Sequence, residues 1–303
     1  MKSSISVFQP FYVSLQLFPI AALFLTFASV SAAQEIKEFQ GVKYTEERIV
    51  FKVPADLGFF STDIQMIDMS AFLWMPVIDS KALPPLVISN HGSQDGGTSL
   101  DITPSRTWKF LARGYAVLAP IRKGFNAKGY PSSKASVNKT EPVSCGIQSS
   151  SESGVKSAIS DVTDAIRALK ERGTNVDFTK IVLTGASRGG FLSLALAASE
   201  LPGVMSVLNF AGGWYSERCY ADFNFQKFRQ FGESIKVPTL SFYGDRDSYY
   251  SMYHIRQNLE SLKKIPNSAD YVLPGATHFV MREIDQWWPI VEKHLDQVEG
   301  KGK

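Results

Sequence analysis

The chain has 303 residues, of which 44% are hydrophobic and 20% are charged, and its formal net charge is +3. This composition is typical of a globular protein with a sizeable core, built as one large domain or two small ones. The basic residues are spread along the chain, so the sequence gives no basis for a nucleic acid as a partner.

The first 33 residues have the order of a secretory signal peptide. Lys2 is the only charged residue among them, an apolar run follows over about residues 11–30, and the small residues "SVSAA" end the segment. A positive start, an apolar middle and a small-residue cleavage site are the three parts of such a leader. We therefore expect a secreted or periplasmic protein, with cleavage after Ala32 or Ala33.

The apolar run could instead be an uncleaved membrane anchor. Pro19 interrupts the run and the small-residue site follows directly, which favours cleavage. No later apolar segment is long enough to span a bilayer. We expect a single mature domain over residues 34–303, with no stable membrane span.

Three segments after the leader alternate like strands of an antiparallel edge: Arg48–Val53, Thr62–Met69 and Ala71–Pro76. Beyond them, short apolar runs alternate with segments of helical periodicity. The apolar runs are "PPLVISN", "YAVLAP", "KIVLTG", "GVMSVLNFAG", "KVPTLSFYG" and "ADYVLPG". The helical segments are "SRTWKFLARG", Gly154–Arg172, "GFLSLALAAS", Ser251–Lys264 and Glu283–Val298. Buried strands that alternate with helices predict a mainly parallel sheet with helices on both faces.

Two stretches interrupt this alternation, near residues 126–153 and 214–235. The first is rich in Ser and Lys, and the second is rich in Phe and Tyr. Both follow strands at their carboxyl ends, where such sheets place their reactive loops. We expect irregular inserts that form rims or a lid, or ordinary surface loops; the aromatic residues of the second insert favour contact with another part of the protein or a ligand.

The stretch "IVLTGASRGGFL", residues 181–192, fits two different functions. As a glycine-rich dinucleotide loop it would indicate a short-chain dehydrogenase, but that pattern needs a third glycine where this chain has Phe191. The stretch also follows about six strand-like segments, whereas a dinucleotide loop follows the first strand of its fold. The one Tyr-x-x-x-Lys match, Tyr130 to Lys134, lies upstream of the glycines instead of downstream.

The same stretch contains Gly-x-Ser-x-Gly around Ser187, the turn that presents the nucleophile of a hydrolase. An acid and then a histidine should follow, each in a loop after a strand. Asp245 and Asp247 follow "PTLSFYG", and His278 follows "ADYVLPG". The order and the placement both favour a hydrolase.

With these motifs and "NHG", residues 90–92, the chain resembles the α/β-hydrolase family, and within it the dienelactone hydrolase and prolyl-oligopeptidase-like branch. The resemblance covers about residues 48–298 and implies an α/β-hydrolase fold. It implies Ser187 as the nucleophile, His278 as the base and Asp247 as the acid, with Asp245 as the alternative acid. An acid fixes the imidazole tautomer, and the imidazole activates the serine.

A tetrahedral oxyanion needs backbone N–H donors. We expect one from Arg188, at a helix N-terminus, and a second by resemblance from Ser93 or Gly92. The side chains of Arg188 and Trp214 could contact the substrate, although pairing with protein acids and core packing are the alternatives. His91 we interpret as a residue that holds its turn.

The two cysteines, Cys145 and Cys219, predict a disulfide in an exported chain, with two unrelated buried thiols as the alternative. His91 and Asp95 share a loop without a third ligand at a metal-like spacing, so we expect no metal.

The sequence therefore predicts an exported serine hydrolase that cleaves a small-molecule ester or lactone through an acyl-enzyme, without a cofactor. A prolyl-oligopeptidase-like peptidase is the nearest alternative. A catalytically silent binding protein with this fold is a further alternative, which an intact Ser187, Asp247 and His278 set disfavours. The oligomeric state stays open.

Overall fold

A computed structural model describes residues 35–54, 66–93, 99–100, 102–127 and 151–301. The described elements belong to one compact unit, Gln34–Lys303. The predicted leader, most of the insert near 126–153, and Cys145 lie outside the described residues.

The described strands are numbered in chain order. They are β1 Ile36–Phe39, β2 Val42–Pro54, β3 Met66–Pro76, β4 Pro85–Asn90, β5 Ser99–Leu100, β6 Ala116–Ile121, β7 Asn126–Ala127, β8 Asp177–Ala186, β9 Val204–Phe210, β10 Thr239–Gly244 and β11 Ala269–Leu273. The α-helices are α1 Trp108–Ala112, α2 Ser151–Glu171, α3 Arg188–Ala198, α4 Glu217–Ser234, α5 Met252–Leu262 and α6 Ile284–Val298. Two 3₁₀ turns cover Pro104–Arg106 and Val280–Arg282.

Nine of these strands form one sheet, in the order β1-β2-β3-β6-β4-β8-β9-β10-β11. The first three pairs in this order, β1-β2, β2-β3 and β3-β6, are antiparallel. The remaining pairs, from β6-β4 to β10-β11, are parallel. β5 and β7 form a separate two-stranded ladder. The predicted α/β-hydrolase fold, a mainly parallel sheet with an antiparallel edge, is confirmed.

Helices cover both faces of the sheet. Leu86 and Ile88 of β4 belong to a core cluster with apolar residues of α2, α3 and α4. Val87, between them, belongs to a second cluster with α1, α5 and α6. Because successive strand residues point to opposite faces, the central strands are apolar on both sides, as their continuous apolar runs predicted.

The chain reverses its direction across the sheet at β4 and β8. From β4 it continues to β6 on one side, and it then returns to β8 on the other side of β4. Such a reversal opens a crevice at the carboxyl ends of the two central strands, where ligands bind in open α/β sheets.

Residues 62–65 of the predicted strand Thr62–Met69 lie outside the described residues, and the predicted break between this strand and Ala71–Pro76 was wrong. β3 is one strand over residues 66–76, paired with β2 along its whole length. Its first half is buried on one face only, whereas its second half is buried on both faces. The hydrophobic pattern therefore changes from alternating to continuous within one strand, because the first half of the strand is buried on one face and the second half on both.

The prediction of an irregular insert near 214–235 was also wrong. Residues Glu217–Ser234 of this stretch form α4, which has one non-helical residue, Tyr220, near its start. Three buried aromatic side chains of α4 surround the ring of Phe191 with ring centroids 5.0–6.2 Å apart: those of Phe223, Phe228 and Phe231. The aromatic content of this segment therefore supplies core packing between α3 and α4.

Candidate active site

Ser187 is the single residue between β8 and α3. Its backbone has φ 56° and ψ −124°, a conformation that residues other than glycine rarely adopt. Its N–H donates to Phe210 O at 2.9 Å, and its carbonyl accepts from Phe191 N and Gly213 N at 3.1 and 3.3 Å. A strained residue that its surroundings hold in place at a strand-to-helix turn is typical of a hydrolase nucleophile.

Two glycines of the motif allow β8 and α3 to approach the end of β4. A Cβ built on Gly189 would lie 2.0 Å from Asn90 O, and one on Gly185 would lie 2.5 Å from the same oxygen. Neither distance is possible for a real side chain. The glycines therefore serve close packing of a strand and a helix around the serine turn.

Asp247 and His278 are joined by a hydrogen bond. His278 Nδ1 lies 2.8 Å from Asp247 Oδ2, and both side chains are buried. The other carboxylate oxygen accepts from the N–H groups of Tyr249 and Tyr250, at 2.8 and 3.1 Å. Because a carboxylate only accepts, Nδ1 of His278 carries its proton and Nε2 presents a lone pair, the tautomer of a general base.

Asp245, the alternative acid, lies elsewhere. It is exposed, and its Oδ1 accepts from Gly275 N at 2.8 Å. This contact ties the loop after β10 to the loop after β11. The structure thus brings His278 to Asp247 and gives Asp245 the role of a loop cap.

Ser187, Asp247 and His278 follow β8, β10 and β11, whose carboxyl ends lie at one edge of the sheet. Gly213, which donates to the carbonyl of Ser187, contacts the hydroxyl end of Tyr250; a Cβ on this glycine would fall 2.1 Å from that oxygen. The Tyr250 ring lies 5.5 Å from the imidazole of His278. A short chain of contacts therefore connects the serine turn to the histidine.

The two tyrosines after Asp247 are site residues that the sequence reasoning did not find. Tyr249 places its ring centroid 4.4 Å from that of His278, so with Tyr250 it encloses the imidazole. Burial raises the pKa of the Tyr250 hydroxyl well above its usual range, so this hydroxyl stays neutral. The doublet "YY", which follows the acid after one serine, was the available signal.

The predicted oxyanion donors come from two segments that lie close to the serine. Arg188 is the first residue of α3, and Gly92 lies so close that a Cβ on it would be 3.4 Å from Ser187 Cβ. Ser93 follows at the surface and precedes residues 94–98, which lie outside the described part of the chain.

The two predicted substrate contacts are both buried. Arg188 Nε donates to Trp214 O at 2.8 Å, and its guanidinium lies 5.6 Å from the Trp214 ring. Trp214 is only 1% exposed and packs on Phe191 in the core. Both side chains are thus held against the protein, in the position of packing residues.

A buried ion pair lies beside the crevice, after β6. Lys123 Nζ lies 3.2 Å from Asp161 Oδ1, and the backbone N–H of Lys123 donates to Oδ2 at 2.8 Å. Burial raises the pKa of Asp161 to about 6, against the lowering effect of the lysine. His254 of α5 and His294 of α6 are also buried, and burial lowers the pKa of each.

Among the described residues, no group of His, Cys, Asp and Glu side chains is arranged to hold a metal ion. A search of the helices over the same residues found none that is long and apolar enough to cross a membrane.

The Dienelactone hydrolase family matches residues 97–290, a stretch that contains Ser187, Asp247 and His278. The chain belongs to the dienelactone hydrolase family. The match includes both loops that meet at the Asp247–His278 bond. A search of curated proteins found no match.

Solved structures share the fold of this dienelactone hydrolase family member. An acylaminoacyl peptidase from Pyrococcus horikoshii has a TM-score of 0.58 at 14% identity, over 83% of this chain and 41% of its own. A cold-adapted esterase from an Arctic intertidal metagenomic library has a TM-score of 0.55 at 16% identity, over 87% and 97%. Est1E from Butyrivibrio proteoclasticus has a TM-score of 0.54 at 14% identity, over 77% and 96%. The chain thus spans about two fifths of the peptidase and nearly the whole of the other two.

Proposed function

We propose that this chain is a serine hydrolase that cleaves a carboxylic ester or lactone through an acyl-enzyme on Ser187. The observation that carries the proposal is the buried hydrogen bond between Asp247 and His278, at the sheet edge where β8 ends in the strained turn of Ser187. Family membership supports hydrolysis. The fold match covers 97% of the esterase chain but 41% of the acylaminoacyl peptidase chain, which supports an ester over a peptide.

The proposed reaction has two acyl transfers. Ser187 Oγ attacks the carbonyl carbon while Nε2 of His278 takes the serine proton, and Asp247 stabilises the imidazolium. The carbonyl oxygen becomes an oxyanion that accepts from the backbone N–H groups of Arg188 and Ser93. The C–O bond to the alcohol then breaks, and the imidazolium gives its proton to the leaving oxygen. Water repeats the sequence on the acyl-enzyme and releases the acid.

The proposal is tested with short p-nitrophenyl esters and a fluorophosphonate probe. Wild type should hydrolyse the esters and take up one probe on Ser187, whereas Ser187→Ala should do neither. An unlabelled, inactive wild type would support the catalytically silent alternative. Efficient cleavage of peptide amides with no ester preference would support the peptidase.

We also infer that the chain is exported, because its first 33 residues have the three parts of a signal peptide. Expression with the native N-terminus should release a mature protein that begins at Ala33 or Gln34. N-terminal sequencing of cell fractions measures this, and an intact N-terminus in the cytoplasm would reject it.

A further inference from the structure

The peptide between Gly92 and Ser93 is oriented by His91. Nδ1 of His91 lies 2.7 Å from Gly92 O. Because the peptide unit is planar and trans, its C=O and N–H point in opposite directions. Holding Gly92 O against the imidazole therefore aims the N–H of Ser93 away from it. That N–H belongs to the turn whose Gly92 backbone lies against Ser187 Cβ.

The backbone N–H of Arg122, which any residue except proline would supply at this position, determines which nitrogen of His91 carries the proton. The backbone N–H of Arg122 donates to His91 Nε2 at 3.2 Å, so Nε2 is an acceptor and the proton is on Nδ1. Only this tautomer can donate to Gly92 O.

The side chain of Arg122 holds the same histidine a second time. Its Nη1 donates to His91 O at 2.7 Å, and the guanidinium is almost completely buried. The ring of Phe125 packs against the imidazole at 4.8 Å and lies 5.6 Å from the guanidinium carbon. His91 is therefore fixed at its carbonyl, at Nε2 and on its ring.

The end of β6 that carries Arg122 is itself anchored. Both the N–H and the ammonium group of the next residue, Lys123, contact Asp161 of α2. A continuous set of buried contacts thus runs from α2 through the end of β6 to the turn beside Ser187. A buried arginine with a purely structural role could bond to any acceptor. Arg122 instead bonds to His91, the residue that orients a proposed oxyanion donor.

We propose that Arg122 is a positioning residue for the oxyanion-binding peptide Gly92–Ser93 and acts on it through His91. The inference rests on the proposed hydrolase function. Arg122→Met would remove the side-chain contact with His91 O and keep the backbone contact with Nε2. His91 would then be held less firmly, the peptide could rotate, and the site would lose part of the stabilisation that the Ser93 N–H gives to the transition state.

The test compares Arg122→Met with wild type on p-nitrophenyl acetate and with a trifluoromethyl ketone, which adds to the serine as a tetrahedral oxyanion. Removing one oxyanion donor typically lowers kcat about 100- to 1000-fold, so displacing it should lower kcat about tenfold or more. KM should change little, and affinity for the ketone should fall in parallel with kcat/KM. Arg122→Lys should recover part of the loss.

Arg113→Met is the matched control, because Arg113 is also a largely buried arginine but pairs with Asp296 and Glu299 of the C-terminal segment. It should lower the melting temperature and leave kcat unchanged. An equal loss of kcat in both variants, or a folded Arg122→Met with wild-type kcat and ketone affinity, would overturn the proposal.

A second pair of variants, at His91, tests the proposal if Arg122→Met does not fold. The amide of His91→Asn retains a donor near the position of Nδ1, whereas His91→Ala has none. The asparagine variant should keep more activity and ketone affinity than the alanine variant, and equal losses would contradict the mechanism. A wild type without esterase activity or probe labelling would instead reject the underlying function.

Discussion

The carboxylate of Asp247 accepts one hydrogen bond from the imidazole of His278 and two from its own loop, at Tyr249 N and Tyr250 N. The loop therefore holds one carboxylate oxygen while the other oxygen fixes the imidazole. This arrangement distinguishes the two aspartates that follow β10, since Asp245 bonds to Gly275 N instead.

Asp247→Asn should lower kcat by about four orders of magnitude, because an amide can donate to Nδ1 and so favours the wrong imidazole tautomer. Asp245→Asn, two residues away, should leave kcat nearly unchanged. Steady-state rates on p-nitrophenyl acetate measure both. If Asp245→Asn produced the larger loss, the assignment of the acid would be reversed.

Gly189→Ala should prevent α3 from packing at the end of β4. The added Cβ would fall 2.0 Å from Asn90 O, which is backbone and cannot move aside without displacing the strand. We expect a loss of several kcal/mol of unfolding free energy, at the upper end for single substitutions. Thermal denaturation measures it.

Gly173→Ala is the control for that substitution. Gly173 has φ +68°, but a Cβ there meets no atom within 4 Å. Gly173→Ala should lower the unfolding free energy by about 1 kcal/mol, because alanine is disfavoured in the left-handed backbone conformation. A loss at Gly189 no larger than the loss at Gly173 would show that close packing does not explain the glycine of the motif.

The parts of the fold that could be predicted from the sequence are those that depend on neighbouring residues. The strand-serine-helix turn at Ser187 is a local pattern, and so is each loop that places Asp247 or His278 directly after a strand. The two glycines around the serine could be assigned to packing because the motif lies late in the chain, with an acid and a histidine following in order.

The parts that could not be predicted depend on contacts between distant segments. Asp245 and Asp247 share a loop. The family resemblance implied Asp247 as the acid, but apart from that resemblance only the contact with His278 distinguishes the two. The sequence did not show that the aromatic residues of α4 pack in the core, because their partner Phe191 lies 32 to 40 residues earlier in the chain. Arg188 and Trp214 are likewise 26 residues apart, and their burial follows from their contact with each other.

The stability of the protein should depend on pH through His294. Its Nε2 lies 2.7 Å from Ser206 Oγ, and burial lowers its pKa below the ordinary value of 6.5. As the pH falls below about 6.5, the unfolded chain binds a proton that the folded protein does not. This histidine should therefore lower the unfolding free energy progressively from pH 7 towards its folded pKa.

Urea denaturation of wild type and His294→Gln at pH 7, 6 and 5 measures this effect. The variant should lose less stability over this range. The opposing contribution of Asp161, whose pKa burial raises to about 6, is present in both proteins and cancels in the comparison. Parallel pH dependence in the two proteins would exclude His294 as the cause.

The predicted disulfide between Cys145 and Cys219 should stabilise the elements around the acid. Cys219 lies in the first turn of α4, where Glu217 accepts from Ser251 N at 2.7 Å and donates its own N–H to Tyr249 O at 3.2 Å. A bridge that closes a loop of about 74 residues contributes about 4 kcal/mol in the chain-entropy model.

Reduction, or Cys219→Ser, should therefore lower the melting temperature, and reduction should have no further effect on the variant. Intact mass after alkylation should show two more alkylated thiols with reductant than without. Equal alkylation under both conditions would reject the bridge and leave two buried thiols as the explanation.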